Sequence, residues 1–309
     1  MTVSSMSPIR RRLALLSSHL VVALVALVVI GGATRVMEAG LACPDWPLCY
    51  GSFLPGRQMN LQVFLEWFHR LDAFLVGIAL LVMAIASLVW RRLLPRWLPW
   101  LCAGLVMLVA FQGALGALTV LQLLPSGVVT AHLALAMTLV ALLSGLTQRL
   151  MQPSPQSEAP IWWRCLAGLA LLGVFCQSLL GARMATSWAA QRCLAGGEAC
   201  RWLLWHRSTA TPVALVVLGF VITALLVSGW SRRQWPFLLG VVLLLSTQIA
   251  LGVLTLRLGL AQPLVTVAHQ LVAVLLVALL SALIARTPQA LPSRSPAVLE
   301  DTSLEPCHG

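Results

Sequence analysis

The feature that most constrains this chain is a series of eight long apolar stretches separated by short polar segments. Each approaches the roughly 20 residues that a helix needs to cross about 30 Å of hydrocarbon. With 60% hydrophobic and only 9% charged residues, the chain is too apolar for an ordinary soluble domain. We therefore expect an all-α integral membrane protein with eight transmembrane helices. The predicted spans are about 13–33, 66–90, 98–121, 128–148, 162–182, 206–229, 236–256 and 264–285.

The arginines predict the orientation of these spans. Eight spans place both termini on one side, and most of the arginines fall in segments on that side, which makes it cytoplasmic by the positive-inside rule. The arginines cluster between apolar runs, so we attribute the net charge of +11 to the orientation of the chain in the membrane. We therefore expect no nucleic-acid binding. The first run is long and lacks a clear small-x-small cleavage site, so we expect a retained helix rather than a signal peptide. The chain should cross the bacterial cytoplasmic (inner) membrane among membrane lipids.

The two halves of the chain resemble each other. The segment Gln112-Gly-Ala-Leu-Gly-Ala-Leu-Thr-Val120 is similar to Gln248-Ile-Ala-Leu-Gly-Val-Leu-Thr-Leu256. Because four spans are an even number, both halves enter the membrane in the same direction, which predicts parallel repeats about an axis along the membrane normal. The expected division is an N-terminal four-helix unit (1–150), a cytoplasmic linker (151–161), a C-terminal four-helix unit (162–285) and a disordered cytoplasmic tail (286–309).

Four histidines open the even-numbered predicted helices at their outer ends. They are His69, His132, His206 and His269, and both His69 to His206 and His132 to His269 span 137 residues. A membrane-embedded imidazole is costly unless its ring nitrogens find partners, and an iron held between two helices satisfies one nitrogen of each ring. Alternatively, each could bond a carbonyl or water. Repeat-related positions favour two haems, one on His69 and His132 and one on His206 and His269, whereas zinc or copper would more often recruit Cys, Met or carboxylate.

A carboxylate accompanies only the first histidine pair. Glu66 lies three residues before His69, on the same face of the predicted helix. It could move a proton or stabilise positive charge beside one haem, or it could pair with Arg70 or cap the helix start. The second unit has Trp202 or Leu203 near the equivalent position, so we expect the two sites to have different tasks.

Five arginines lie at the outer ends of predicted helices. Their guanidinium groups could pair with haem propionates at that depth. Snorkelling to the lipid headgroups is the alternative for each of them. These residues are Arg35, Arg70, Arg183, Arg207 and Arg257.

Two cysteine pairs fall in predicted outer loops. Cys43 and Cys49 lie in the first outer loop, and Cys193 and Cys200 lie in the third. The outer compartment is oxidising, so we expect one disulfide in each loop. The spacings do not fit a zinc or iron–sulfur site. Each disulfide could stiffen its loop or exchange electrons with a thiol partner, and the sequence leaves both roles open.

Three motifs in the first half resemble a known family. They are Gly31-Gly-Ala-Thr-Arg35, Gly40-Leu-Ala-Cys-Pro-Asp-Trp-Pro-Leu-Cys-Tyr-Gly51 and Glu66-Trp-Phe-His-Arg70, and together they resemble the haem A synthase family. The resemblance extends over nearly the whole chain, because the spans, histidines and outer-loop cysteines fall where that family has them. Met37-Glu38 departs from the small polar residues usual at that place in the family.

The resemblance implies an oxidoreductase. Its reaction would oxidise a methyl group of haem O to a formyl group, by successive hydroxylations and loss of water, giving haem A for terminal cytochrome oxidases. A haem O-forming prenyltransferase is then the expected partner, a homo-oligomer is compatible with the pattern, and the electron donor is unknown. The family's first-loop pair maps onto Cys43 and Cys49, with an implied role in electron passage or haem transfer.

The resemblance also divides the two sites. His69 and His132 would hold the substrate haem O, with Glu66 as the catalytic residue. His206 and His269 would hold a resident haem b cofactor. The presence of a carboxylate in only one unit agrees with this division.

Two other functions explain part of the pattern. A b-type membrane cytochrome that relays electrons between two haems would use the histidines but leave Glu66 without a task. A permease for haem or another small molecule would use the cleft between the units. A haem O-forming prenyltransferase is excluded, because that chemistry needs aspartate-rich motifs and the chain has only nine acidic residues and no Asp-x-x-x-Asp.

Overall fold

The computed structural model describes residues 7–152, 157–186, 199–258 and 262–288. Within these ranges, eight helices are long and apolar enough to cross a membrane. They are α1 (Pro8–Val36), α2 (Leu61–Val89), α3 (Leu98–Leu121), α4 (Ser126–Met151), α5 (Ile161–Thr186), α6 (Ala199–Leu226), α7 (Trp235–Arg257) and α8 (Pro263–Ala285). The predicted all-α fold with eight spans is therefore confirmed.

Two of these helices begin earlier than the hydropathy pattern predicts, and a polar residue sets the start of one of them. The side chain of Asn60 accepts a hydrogen bond from the backbone N–H of Val63 at 3.0 Å and so caps α2. As a result, α2 begins five residues before the predicted span. The start of α6 likewise lies seven residues before its predicted span. His69 and His206 therefore lie about two turns inside their helices, further from the helix starts than the predicted spans had them. Hydropathy marks the apolar run, whereas capping marks the helix end.

The helices pack as two rings of four. In the first half, α2 and α4 each pack against both α1 and α3, and in the second half α6 and α8 each pack against both α5 and α7. Contacts of α4 with α8, α1 with α8 and α4 with α5 join the halves. The core lies along this junction, where Leu139, Val140, Leu276 and Val277 are fully buried. The even-numbered helices of each half therefore lie diagonally across their ring.

Two reciprocal hydrogen bonds connect α4 and α8. The hydroxyl of Ser144 donates to the carbonyl of Ala278 at 2.7 Å, and the hydroxyl of Ser281 donates to the carbonyl of Ala141 at 2.6 Å. Ser144 to Ser281 and Ala141 to Ala278 both span 137 residues, the interval that separates the repeated histidines. A pseudo-two-fold axis between α4 and α8 would produce this reciprocity, and the division into two repeat units stays a prediction.

The first residues of the predicted tail make hydrogen bonds to other parts of the protein. Arg286 donates to the side-chain carbonyl of Gln234 at 2.6 Å, and the backbone N–H of Thr287 donates to the side chain of Gln152 at 3.2 Å. These bonds tie residues just after α8 to the inner ends of neighbouring helices, so disorder from residue 286 onward was wrong at its start. Residues 289–309 lie outside the described ranges. So do residues 153–156 of the predicted linker.

Candidate haem sites

His69 and His132 face each other inside the first ring of helices. They project from the diagonal helices α2 and α4, and their ring centroids are 6.5 Å apart with planes inclined at 61°. An imidazole nitrogen lies about 2 Å from a metal that it coordinates, so two rings sharing one iron have centroids roughly 6 Å apart. The observed separation fits that arrangement. The prediction that these two residues could meet is consistent with this geometry.

In three histidines, one of the two ring nitrogens has no hydrogen-bond partner within the described residues. Nδ1 of His69, His132 and His269 is buried with no hydrogen-bond partner in the described part of the chain. A buried polar atom left unpaired costs about 1–3 kcal/mol, so such an atom needs an explanation. A bound iron would take one nitrogen from each ring. The donor set therefore fits haem, and imidazole is a usual axial ligand of haem iron.

The second histidine pair occupies the matching place in the other ring. His206 lies on α6 and His269 on α8, the diagonal helices of the second ring, and each ring lies against a glycine of the preceding helix. Nδ1 of His206 lies 3.2 Å from the backbone carbonyl of Gln177, which can accept a hydrogen bond from that ring. An N–H held in this way fixes the tautomer and leaves the other ring nitrogen for a metal.

Each of the four histidines sits against a glycine on the preceding helix. A Cβ built on that glycine would lie 2.9 to 3.2 Å from Cε1 of the imidazole, closer than nearly all real Cβ contacts. The missing side chain lets the ring approach the backbone of the neighbouring helix. Sequence reasoning missed this feature. The pairs are Gly31 with His69, Gly116 with His132, Gly181 with His206 and Gly252 with His269.

Three of these glycines are preceded, four residues earlier, by a glutamine whose side chain reaches the same imidazole. Residues four apart share a helix face, so each glutamine lies one turn deeper on the wall that carries its glycine. In α1 the corresponding residue is Leu27. The amide-to-ring distances are 3.3 Å for Gln112 and His132, 3.2 Å for Gln177 and His206, and 3.4 Å for Gln248 and His269.

The residues that make these contacts share a short sequence motif. The spacing Gln-x-x-x-Gly recurs at Gln112 in α3, Gln177 in α5 and Gln248 in α7. The repeat comparison noted the first and last of these only as marks of internal similarity. The occurrence in α5 was missed, because the residues around it differ from the other two copies.

Glu66 is bound on both of its carboxylate oxygens. The residue is only 4% exposed. Oε1 accepts from Arg70 at 2.5 Å, and Oε2 accepts from the backbone N–H of Cys43 at 2.8 Å. Pairing with Arg70 was one of the two alternatives left open by the sequence. The carboxylate therefore joins α2 to the first outer loop, one turn before His69.

Arg70 and a disulfide organise that loop. Arg70 donates to the backbone carbonyls of Asp45 at 2.6 Å and Leu48 at 2.5 Å, which directs its guanidinium towards the loop. The predicted disulfide between Cys43 and Cys49 is confirmed. Asp45 accepts from the backbone N–H groups of Tyr50 and Gly51, and these bonds, with that to Gly51 the strongest influence, hold the pKa of its carboxyl below the ordinary value.

The second predicted disulfide lies partly outside the described ranges. Cys193 falls in the undescribed segment 187–198, whereas Cys200 is in α6. The pairing of Cys193 with Cys200 therefore stays a prediction.

The remaining arginines proposed for propionates occupy different environments. Arg35 is half-buried at the outer end of α1. Arg183 donates to the hydroxyl of Ser126 at 2.8 Å and lies over the ring of Trp202. Arg207 and Arg257 are exposed. Arg35 and Arg183 are thus the better placed to meet a group inside the protein, and the exposed pair suits the lipid headgroups.

Comparison with known proteins identifies the family. Residues 11–281 match the model of the COX15-CtaA family, described as cytochrome oxidase assembly protein. The chain belongs to this family. The match begins in α1 and ends in α8, so it includes both histidine pairs, Glu66 and the disulfide loop.

Several similar bacterial proteins carry the name Heme A synthase. One from Caulobacter sp. (strain K31) is 34% identical over 194 residues, which cover 52% of this chain and 56% of the relative. One from Shewanella oneidensis is 34% identical over 189 residues, covering 55% and 56%. One from Rhizorhabdus wittichii is 30% identical over 314 residues, covering 82% and 88%. The chain thus spans little more than half the length of the first two relatives and most of the third.

Proposed function

We propose that this member of the COX15-CtaA family is a haem A synthase, an oxidoreductase that converts the methyl group of haem O to a formyl group. The observation that carries the proposal is the pair of facing imidazoles, His69 and His132, in the half of the molecule that also holds the buried Glu66. The names of the similar bacterial proteins support the same reaction. The product, haem A, would serve terminal cytochrome oxidases.

In this proposal the two histidine pairs have different tasks. His69 and His132 bind the substrate haem O, and His206 and His269 bind a resident haem b. The support is the asymmetry of the halves, because Glu66 and the loop that it anchors have no counterpart in the described part of the second half. A reaction site needs such groups, whereas an electron-transfer haem needs only its ligands and an apolar cleft.

The proposed role of Glu66 is to stabilise positive charge that develops on the substrate. When bound, haem b supplies one-electron transfer. The carboxylate of Glu66, buried and held by Arg70 and Cys43, would stabilise positive charge that develops on the substrate methyl carbon during its oxidation. Because both oxygens are already bonded, its position would not need to change during the reaction. The loop closed by Cys43 and Cys49 would shield this end of the site from water.

The topology and partners complete the proposal. Both termini would lie in the cytoplasm and the histidines near the outer leaflet of the bacterial inner membrane, which the arginine distribution favours. The two four-helix units would correspond to residues 1–150 and 162–285, which the reciprocal serine bonds between α4 and α8 support. A haem O-forming prenyltransferase would supply the substrate, and the chain could work as a homo-oligomer.

Extraction of pigments from the purified protein tests the function. Cells that make haem O should yield protein carrying haem O or haem A beside haem b. Haem b alone would instead favour the electron relay, and absence of haem would favour a permease. Either of these outcomes would overturn the proposal.

Variants test the site. We expect Glu66→Gln and His69→Ala to insert and to retain haem b while haem A production is lost. Glu38→Gln is the matched control, because Glu38 is an exposed carboxylate in the same loop region, and it should produce haem A normally. Normal haem A output from Glu66→Gln would contradict the role of this carboxylate.

A further inference from the structure

Two neighbouring glycines on α1 contact both halves of the molecule. Gly31 lies against the ring of His69, and Gly32 lies against the side chain of Gln270 on α8. Gln270 directly follows His269, a ligand of the proposed haem site in the second half. We propose that Gln270 is a positioning residue for the haem site of the first half, because it holds the part of α1 on which His69 rests. The inference rests on the proposed haem sites and adds a residue of the second half to the first site.

The contact between Gln270 and Gly32 leaves no room for a side chain on the glycine. A Cβ built on Gly32 would lie 2.0 Å from Oε1 of Gln270 and 2.6 Å from its Cδ. The amide group therefore occupies the place that this side chain would take, and Gly32 is buried beneath it. Small residues at a contact between membrane helices allow the backbones to approach closely. The side chain of Gln270 thus bears directly on the backbone of α1.

A hydrogen bond holds the same amide on α1. Nε2 of Gln270 donates to the backbone carbonyl of Val28 at 3.0 Å. In an α-helix this carbonyl also accepts from the N–H four residues later, which belongs to Gly32. The amide therefore contacts α1 along one full turn. Contact with Gly32 resists movement of the helices towards each other, and the bond to Val28 resists their sliding.

The geometry of α1 transmits this support to His69. Successive residues of an α-helix point about 100° apart, so Gly31 can face α2 while Gly32 faces α8. A Cβ on Gly31 would lie 2.9 Å from Cε1 of His69, so the ring would have to follow a shift of α1. The rings of His69 and His132 have centroids 6.5 Å apart, a separation that fits one shared iron. A displacement of α1 would therefore change how His69 approaches that iron.

The equivalent place in the first half cannot provide the same support to the second site. The interval of 137 residues places Leu133 of α4, next to His132, at the position that corresponds to Gln270. A leucine side chain has no N–H to donate, so it cannot form a bond like that from Gln270 to Val28. Exact placement of groups matters most where a reaction occurs. A support given only to the first site agrees with its proposed role as the substrate site.

Haem binding to each site separately tests the inference. Two full-length background chains in lipid nanodiscs each keep one histidine pair. His206→Ala/His269→Ala keeps the first pair, and His69→Ala/His132→Ala keeps the second. Both are titrated with haem b, with and without Gln270→Met, which keeps the length of the side chain and removes its amide. We expect Gln270→Met to weaken haem binding about tenfold at the first pair, as for other supports of metal ligands, and to change it little at the second.

The comparison of the two pairs is decisive because Gln270 adjoins His269 in the chain. A purely local effect of the substitution would appear at the second pair. An equal or larger loss of affinity at the second pair, or an unchanged affinity at the first, would overturn the inference. Absence of haem A production would refute the proposed function, whereas these affinities for haem b judge Gln270 independently.

Electron paramagnetic resonance of the ferric haem adds a readout that a loss of overall stability would not move. The spectrum depends on the mutual orientation of the two imidazole planes, so Gln270→Met should shift the signal of haem held by the first pair. Leu133→Met is the matched control, because it exchanges two apolar side chains of similar volume, and it should leave this signal and the affinity unchanged. An unshifted signal in Gln270→Met, or an equal shift in Leu133→Met, would contradict the positioning role.

Substitution of Gly32 tests the same contact from α1. Gly32→Ala places a methyl group where the amide of Gln270 lies, so it should weaken haem binding at the first pair. Gln270→Ala removes that amide, so Gly32→Ala should cost less affinity when the two are combined. Equal losses with and without the glutamine side chain would overturn the inference. If the variants of Gln270 fail to insert, Gly32→Ala decides alone, and unchanged haem binding at the first pair would then refute the proposal.

Discussion

Gly181 on α5 and His206 on α6 are in contact so close that a Cβ on the glycine would lie 3.0 Å from Cε1 of the ring. The imidazole thus rests on the backbone of the neighbouring helix. The same relation holds for the other three histidines. The positions of the rings are therefore fixed by how closely two helices approach, and not only by side-chain rotamers.

Gly181→Ala should disturb the second haem site. The added methyl group would have to displace the imidazole of His206 by a few tenths of an ångström, which alters its approach to iron. We expect haem b affinity to fall by about tenfold or more, as for other supports of metal ligands. Haem content of the purified protein measures this. Gly168→Ala on the same helix is the control, because a Cβ there meets nothing within 4 Å, and a full haem complement in Gly181→Ala would contradict the account.

Arg70→Lys should loosen the first outer loop. Lysine cannot reproduce the planar fork that contacts Glu66 and the carbonyls of Asp45 and Leu48 together. We expect the disulfide between Cys43 and Cys49 to be reduced several-fold faster by an added thiol, measured by alkylation of the freed cysteines. Arg57→Lys, at an exposed position in the same loop, should leave that rate unchanged. Equal rates in both variants would count against the anchoring role of Arg70.

Acid should loosen the same loop through Asp45. Because the pKa of Asp45 is lowered in the folded loop, its stabilising contribution is complete above the ordinary value of 3.8 and is lost as the pH falls through the lowered pKa. Reduction of the disulfide by a phosphine should therefore accelerate below about pH 3.8. Asp45→Asn should already be fast near neutral pH and should converge with the parent protein in acid. A ratio of the two rates that does not change with pH would refute this prediction.

Ser144→Ala and Ser281→Ala should weaken the contact between α4 and α8 by similar amounts. Each removes one of two reciprocal bonds between helices, and such bonds contribute about 0.5–1 kcal/mol in membrane proteins. Unfolding in mixed detergent micelles measures the change. Ser178→Ala is the control, because the hydroxyl of Ser178 bonds to the carbonyl of Val174 within its own helix. A large loss from only one of the two interface serines would contradict their equivalence.

The sequence predicts the helices better than their ends. Eight spans follow directly from hydropathy, because a bilayer requires long apolar helices. The start of α2 depends instead on a single cap at Asn60, and that of α6 also precedes its apolar run. His69 and His206 therefore lie further from the starts of their helices than the hydropathy pattern predicted.

The candidate site could be predicted in part. The common interval of 137 residues indicated which histidines correspond, and His69 does meet His132. The glycine contacts and the glutamine partners depend on the approach of one helix to the next, which no period within a single helix reveals. The bond between Glu66 and the backbone of Cys43 depends on the path of the outer loop, for which sequence offers no rule.

The central claim is that each of the two histidine pairs binds one haem iron. The absorption spectrum of the intact protein, reduced with dithionite, tests it most directly, because two imidazole ligands give low-spin haem bands. We predict these bands in the parent protein and their clear reduction, with loss of haem b, when His206 and His269 are both replaced by alanine. Absence of low-spin bands from the parent protein, or bands unchanged by that double replacement, would contradict the account.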